Sequence, residues 1–171
     1  MDMRKPIKRR ILFFITGMII SILLTSVRSE KVLVVEDIDN PKKTSLVLHD
    51  ESFSLGYIHS VLLTPASEYF TVGEDNSLDL YKTEYESFGV GLPYSKEDGE
   101  FEIVGDKFIL KVERSFDTLD MRISSIPQHW IEISGERYEM LELIEKPEDL
   151  IRLYAEDKWV LSVWGKSYII F

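Results

Sequence analysis

The sequence predicts an all-β protein, an antiparallel β-sandwich or open barrel of about ten short strands. Three observations predict it. Apolar residues recur with period two, or in short β-rich runs, through most of the chain after residue 30. Turn-forming clusters such as DNPKK, GEDNS and GD separate those runs. Nine Phe, eight Tyr and three Trp supply the large flat side chains that pack well on a pleated surface.

Taken in order, KVLVVED (31–37) is the first strand and DNPKK its turn. SLVLHD follows, then FSLGYIHSVLL (53–63). TPAS reads as a turn into EYFTV (68–72), and GEDNS (73–77) as the next turn. LDLYKTEYES (78–87) alternates Leu78 and Leu80, then Tyr81, Thr83 and Tyr85 on the other parity. FGVGLPYSKEDGE, 88–100, is a Gly- and Pro-rich loop. FEIV and KFILKVE form a hairpin around GD, and LDMRISS, HWIEIS and RYEMLELI add strands, the last two joined by GE. KPEDLIRLYAED departs from the pattern. Pro147 at a first helical position, with two acids after it, predicts a short helix near 147–155. In the tail KWVLSVWGKSYIIF, the apolar SYIIF is expected to pair inside a sheet, because an open apolar edge invites aggregation. Trp130, Trp159 and Trp164 are expected to fill the core.

Residues 1–29 form a separate segment ahead of a 30–171 β domain. A basic leader, MDMRKPIKRR, precedes a 17-residue apolar run from Ile11 to Val27. As a helix this run spans about 25 Å at 1.5 Å per residue, slightly short of a bilayer's hydrocarbon core, with Arg10 and Arg28 positioned to snorkel. It is read as a retained transmembrane anchor, the alternative being a signal peptide cleaved before Glu30. Either way the basic leader stays cytoplasmic, and the β domain lies outside the cytoplasm, at the cell membrane or secreted.

Charge narrows the partners. Residues 1–29 hold six basic residues and one acidic, while the chain as a whole carries −10, so the remainder carries −15. Such a body lacks the clustered cations that displace counterions from nucleic acid, and anionic headgroups repel it. Proteins, cations and small solutes remain. With no cysteine, the chain has no disulfide framework, thiolate metal site or cysteine nucleophile.

The residues with chemical potential sit in YIHSVLLTPASEYF, Tyr57 to Phe70. A serine hydrolase would need His59 to reach Ser60, with Glu68 orienting the imidazole. Adjacent strand residues point to opposite faces, so that dyad is disfavoured and no catalytic residue is assigned. Glu68 shares a face with Ser60 if the hairpin pairs like parities, and with His59 if it pairs unlike ones. A His59–Glu68 centre could sense protons, hold a ligand or serve only as a structural hydrogen bond. In FGVGLPY the alternate glycines Gly89 and Gly91 allow close backbone approach, and Pro93 stiffens the exit. No helix pattern follows, so phosphate cradling is not expected. The acidic stretches 73–79 and 96–102 lack calcium-loop spacing, and His49, His59 and His129 are too scattered to propose zinc. No metal or cofactor is called for.

FSLGYIHSVLLTPASEYF followed by TEYESFGVGLP resembles the signature region of a bacterial family, domain of unknown function 1850. The shared pattern is Tyr-x-His-Ser-Val, a Pro and a Glu, then Gly-x-Gly-x-Pro. It falls on Tyr57, His59, Ser60, Val61, Pro65, Glu68, Gly89, Gly91 and Pro93, within roughly residues 52–94. The resemblance implies a small extracytoplasmic protein, often membrane-anchored, associated with tripartite (TRAP) solute transporters that use a TAXI-type binding protein. It implies partners, the transporter's membrane subunits or its solute-binding protein, rather than a reaction. The expected function is accordingly that of an accessory protein acting by contact and not an enzyme. The expected surface is Tyr57, His59, Ser60 and Glu68 with the Gly89–Pro93 loop. A small-ligand or cation-binding module is the alternative, and a hydrolase using His59 or Ser60 comes third.

Overall fold

Alternation of apolar and polar side chains builds twelve strands among the residues described. The structure, a computed structural model, describes residues 10, 12–18, 26–59, 63–86, 100–125, 128–163 and 165–170. The first five strands are β1 (Val27–Asp37), β2 (Lys42–Val47), β3 (Ser52–Ile58), β4 (Pro65–Val72) and β5 (Leu78–Tyr85). Then come β6 (Glu100–Val104), β7 (Lys107–Phe116), β8 (Leu119–Arg122), β9 (Trp130–Ile133) and β10 (Glu136–Glu139). A single-turn helix, Met140–Leu143, precedes β11 (Leu150–Val163) and β12 (Lys166–Ile169). They make two sheets, one ordered β12-β11-β1-β2 with β8 also pairing β11, the other ordered β10-β9-β3-β4-β5-β7-β6. The fold is mostly antiparallel β, as the sequence predicts.

Four local expectations are corrected. The helix expected near 147–155 is strand: Ile151, Leu153 and Ala155 are buried and alternate with Arg152, Tyr154 and Glu156, and β8 pairs with Leu150–Leu153. This period-two pattern and its pairing override the helix-start signal at Pro147. TPAS is not a turn, because Pro65 begins β4 and pairs with Ile58. Trp159 is 48% exposed, and Trp164 lies outside the described residues. SYIIF does pair, through β12 with β11, but β12 stands at the edge of its sheet and not inside it.

Residues 31–157 form one compact unit, and residues 1–30 with 158–171 form the other. Within 31–157 the inner faces of both sheets feed one core. Leu33, Val35, Ile151 and Leu153 from one sheet cluster with Phe53, Leu55, Phe70, Leu78, Leu110 and Ile131 from the other. This makes a sandwich. Phe53 and Phe70 stack with centroids 4.9 Å apart, the offset contact favoured by aromatic quadrupoles. Two buried charges tie the chain around this core. The Lys31 ammonium donates to the Glu74 carbonyl (3.0 Å), Asn76 Oδ1 (2.8 Å) and Asp157 Oδ2 (3.2 Å), fixing the turn that sequence composition marks at 73–77. Asp37, 3% exposed, accepts from the Asn40 backbone (3.0 Å) and from the Glu145 N–H (3.2 Å). The Asn40 amide also reaches Asp149 Oδ2 at 2.8 Å, joining the β1–β2 turn to the segment before β11.

In the other unit, β11 and β12 form a hairpin in which Val160 faces Ile169 and Val163 faces Lys166. Residues 12–18 are helical. No helix among the described residues is long and apolar enough to cross a membrane, and residues 11 and 19–25 of the apolar run lie outside them.

Candidate functional site

The register of the β3–β4 hairpin decides which face Glu68 occupies. Leu55 pairs with Glu68 and Tyr57 with Ala66, so unlike parities pair. Glu68 therefore stands on the face of Phe53, Leu55 and Tyr57, in the series Ala66, Glu68, Phe70 and Val72 whose other three members are buried. That is the core face. The row crossing the sheet at this level reads Ile131, Leu55, Glu68, Thr83, Leu110 and Phe101, and Glu68 is its one charged member. No described residue donates a hydrogen bond to the Glu68 carboxylate. Burial pushes its pKa up, and the Arg114 charge pulls the other way more weakly.

Tyr57 stands diagonally beside Glu68 on the same face, a spacing of about 7–8 Å in a twisted antiparallel pair. Its phenol is pushed up to about 12, first by burial and then by the Glu68 charge. A row of aromatic groups continues from it. Tyr57 pairs with Ala66, Ala66 with Tyr85 and Tyr85 with Phe108. The Tyr85 and Phe108 rings stack at 5.7 Å, and Phe101 and Phe108 at 5.9 Å. On the other side of Tyr57 lies His129, its ring centroid 6.2 Å away. His129 Nδ1 is buried without a hydrogen-bond partner among the described residues, and burial lowers the pKa of the ring. His129 is part of this centre although the spacing of the histidines had set it aside. Only the pairing of Gly56 with Trp130 brings it beside Tyr57, and no local sequence signal encodes that.

Gly56 explains how the neighbouring strand approaches. The Trp130 indole lies over it on the outer face, and a Cβ at Gly56 would overlap that ring. Trp130 is thus buried, as expected, but on the face opposite the main core. Arg137 covers it with its guanidinium carbon 3.8 Å from the ring.

His59 does not continue β3. Its N–H donates to the Thr64 carbonyl (2.9 Å), and its own carbonyl accepts from Leu63 N–H (2.8 Å), so it closes the β3–β4 connection. Strand alternation therefore does not relate His59 to Ser60, because the strand ends at Ile58. His59 is 9% exposed. Ser60 and Val61 lie outside the described residues, as does the 87–99 segment with Gly89, Gly91 and Pro93. The strand ends that carry both motifs do meet. Ile58, Pro65 and Tyr85 reach the same end of the sheet, adjoining the 59–64 connection and Glu86. Leu63, at this end, is 71% exposed with φ 56°, a left-handed conformation uncommon for a branched side chain.

The outer face at the same end offers a contrast. Tyr69 O–H donates to Glu84 (3.1 Å), Lys82 pairs with Glu84 (2.8 Å), and Lys82 sits 3.8 Å over the Tyr69 ring. Burial works to raise the Glu84 pKa, but its Lys82 and Tyr69 partners bring it below the usual carboxylate range. A small open groove of about 70 Å³ runs there between Pro65, Ser67, Tyr69, Glu84 and Lys107. Glu84 has partners within its own fold; the half-buried Glu68 has no hydrogen-bond donor among the described residues. No group of three or more metal-ligating side chains among the described residues is placed to hold an ion.

Comparison with known proteins agrees with the motif reading at the family level. No curated protein gives a significant match, and no solved structure does. A family model described as Domain of unknown function (DUF1850) matches residues 53–140, from the start of β3 to the single-turn helix. The match takes in Tyr57, His59, Ser60, Glu68 and the Gly89–Pro93 loop together with His129, and covers just over half of the chain. The chain belongs to the DUF1850 family.

Proposed function

We propose that this chain is a membrane-anchored extracytoplasmic accessory protein of a tripartite (TRAP, TAXI-type) solute transporter. It acts by protein–protein contact through the end of the seven-stranded sheet where β3, β4 and β5 meet. The choice of transporter follows the family resemblance carried by Tyr57 to Pro93. The choice of surface rests on one observation: Glu68 occupies a core-facing position with no internal hydrogen-bond donor among the described residues. A half-buried carboxylate without an internal donor is partly desolvated, and a donor or cation from a partner would offset that cost. The exposed Leu63, in the β3–β4 connection at that end, provides an apolar contact.

The test is affinity purification of the full chain from native membranes, with uptake measured in a deletion strain. The proposal expects transporter membrane subunits or the solute-binding protein to co-purify, and uptake to fall on deletion. Unchanged uptake without co-purification would overturn it.

The His129 Nδ1, unpartnered among the described residues and beside Tyr57, favours a second reading, a small ligand that meets it and Glu68 on the same face with a donor and a cation. That reading expects a solute-dependent thermal shift that Glu68→Ala abolishes.

A further inference from the structure

The C-terminal hairpin carries a surface that the accessory reading does not use. In β11–β12, Leu161 faces Tyr168, and the Ile170 N–H donates to the Trp159 carbonyl (2.9 Å). Trp159, Leu161, Tyr168 and Ile170 therefore share one face. Trp159 is 48% exposed, Tyr168 54% and Ile170 43%. The opposite face holds the buried Val160 and the Ser162–Ser167 pair. A phase change in β11 creates this arrangement. Ile151, Leu153 and Ala155 bury odd positions, whereas Val160 buries an even one, so Trp159 turns outward.

We propose that this face rests in the interfacial layer of a lipid bilayer. Trp and Tyr combine an apolar body with a polar tip and collect at the headgroup level, and nearby Lys complements anionic lipid. Residues 158–171 contain Lys158 and Lys166 and no Asp or Glu. In the compact unit formed by residues 1–30 and 158–171, the part after the apolar run holds three basic residues, Arg28, Lys158 and Lys166, and one acidic, Glu30, against twelve basic and twenty-eight acidic in residues 31–157. Of the two units, only this one has a charge that suits an anionic headgroup layer. The same unit contains the apolar run that ends at Val27, where β1 begins. Choosing a bilayer over a protein partner thus rests in part on the membrane-anchor reading.

The chain has no cysteine, so single labels are clean. The full chain is reconstituted in phosphatidylethanolamine–phosphatidylglycerol vesicles with a nitroxide at Tyr168→Cys, at Ile170→Cys, or at Asp106→Cys in the β6–β7 turn. Collision rates with oxygen and with a water-soluble nickel chelate are compared. Labels at 168 and 170 are expected to favour oxygen over nickel by several-fold relative to the label at 106. Equal access of nickel at all three positions overturns the proposal. Spin–spin broadening at 168 that disappears on mixing with unlabelled chain assigns the face to a second copy and likewise overturns it. Resistance to alkaline carbonate extraction, measured on the same vesicles, reports the N-terminal anchor separately. A lost anchor and a lost hairpin contact therefore give different results.

Discussion

Glu68 and Tyr57 share the core-facing side of the β3–β4 hairpin, one diagonal step apart, and the Glu68 charge adds to the burial that raises the cost of ionising the Tyr57 phenol. Neighbouring core positions on β4 are Ala66 and Phe70. A carboxylate held in such a series weakens the isolated fold, which makes its removal informative.

Glu68→Gln is expected to stabilise the chain at neutral pH. The folded-state pKa is raised, so the unfolded state ionises more readily and the penalty is present above the folded pKa. It shrinks as pH falls through that value and is gone below the ordinary carboxylate range. Melting curves should show the variant higher by about 2–4 °C at pH 7, the equivalent of roughly 1 kcal/mol in a domain of this size, and level with wild type at low pH. A variant that melts lower at pH 7 would show that Glu68 has an internal partner.

Asp37 should behave in the opposite sense. Burial works to raise its pKa, but the Glu145 N–H and the Asn40 side chain and backbone outweigh it, leaving the carboxyl below its usual value. Its contribution is present above the unfolded pKa and is lost as pH falls through the lower folded one. Asn40→Ala removes the amide that joins Asp37 to Asp149 and should move the acid unfolding midpoint to higher pH. An unchanged acid midpoint, followed by circular dichroism, would remove this link from the account.

Gly56→Ala is expected to be costly because its methyl group would meet the Trp130 indole, which is hemmed in by Arg137. Overpacking of this kind costs about 1–3 kcal/mol. Denaturant titration should show the loss, and Trp130 emission should shift to the red as the ring becomes solvated. Gly56→Ala with wild-type stability would mean that the β3–β9 approach is looser than described.

Lys31→Met should destabilise the 73–77 turn. The substitution keeps the apolar stem but leaves the Asn76 and Asp157 acceptors without the ammonium. The expected cost is about 1–3 kcal/mol, with faster amide hydrogen exchange concentrated at 73–77. Exchange unchanged there would contradict the capping role.

Much of this fold is legible locally. The alternation at 31–37 and 78–85, the GD hairpin and the 73–77 turn need only period two and turn chemistry. Where the reading misses, longer-range pairing decides. Pro147 and its acids mimic a helix start, but Leu150–Leu153 find β8 as a partner. Trp159 turns outward because β11 changes phase, which no window of alternating residues records. In the site, the Tyr-x-His-Ser-Val stretch points to Tyr57 and Glu68, yet the face of Glu68 depends on a hairpin register that sequence leaves two-valued. His129 enters the centre only through the β3–β9 pairing.

The central claim is that the sheet end at Tyr57, Leu63 and Glu68 meets the transporter. Photocrosslinking in native membranes tests it most directly. A photoreactive residue replaces Leu63 at that end or Asp75 in the turn at the other end of β4. The account predicts an adduct with a transporter membrane subunit or solute-binding protein from position 63, weakened by Glu68→Ala, and none from position 75. Adducts from position 75 and none from position 63 would contradict it.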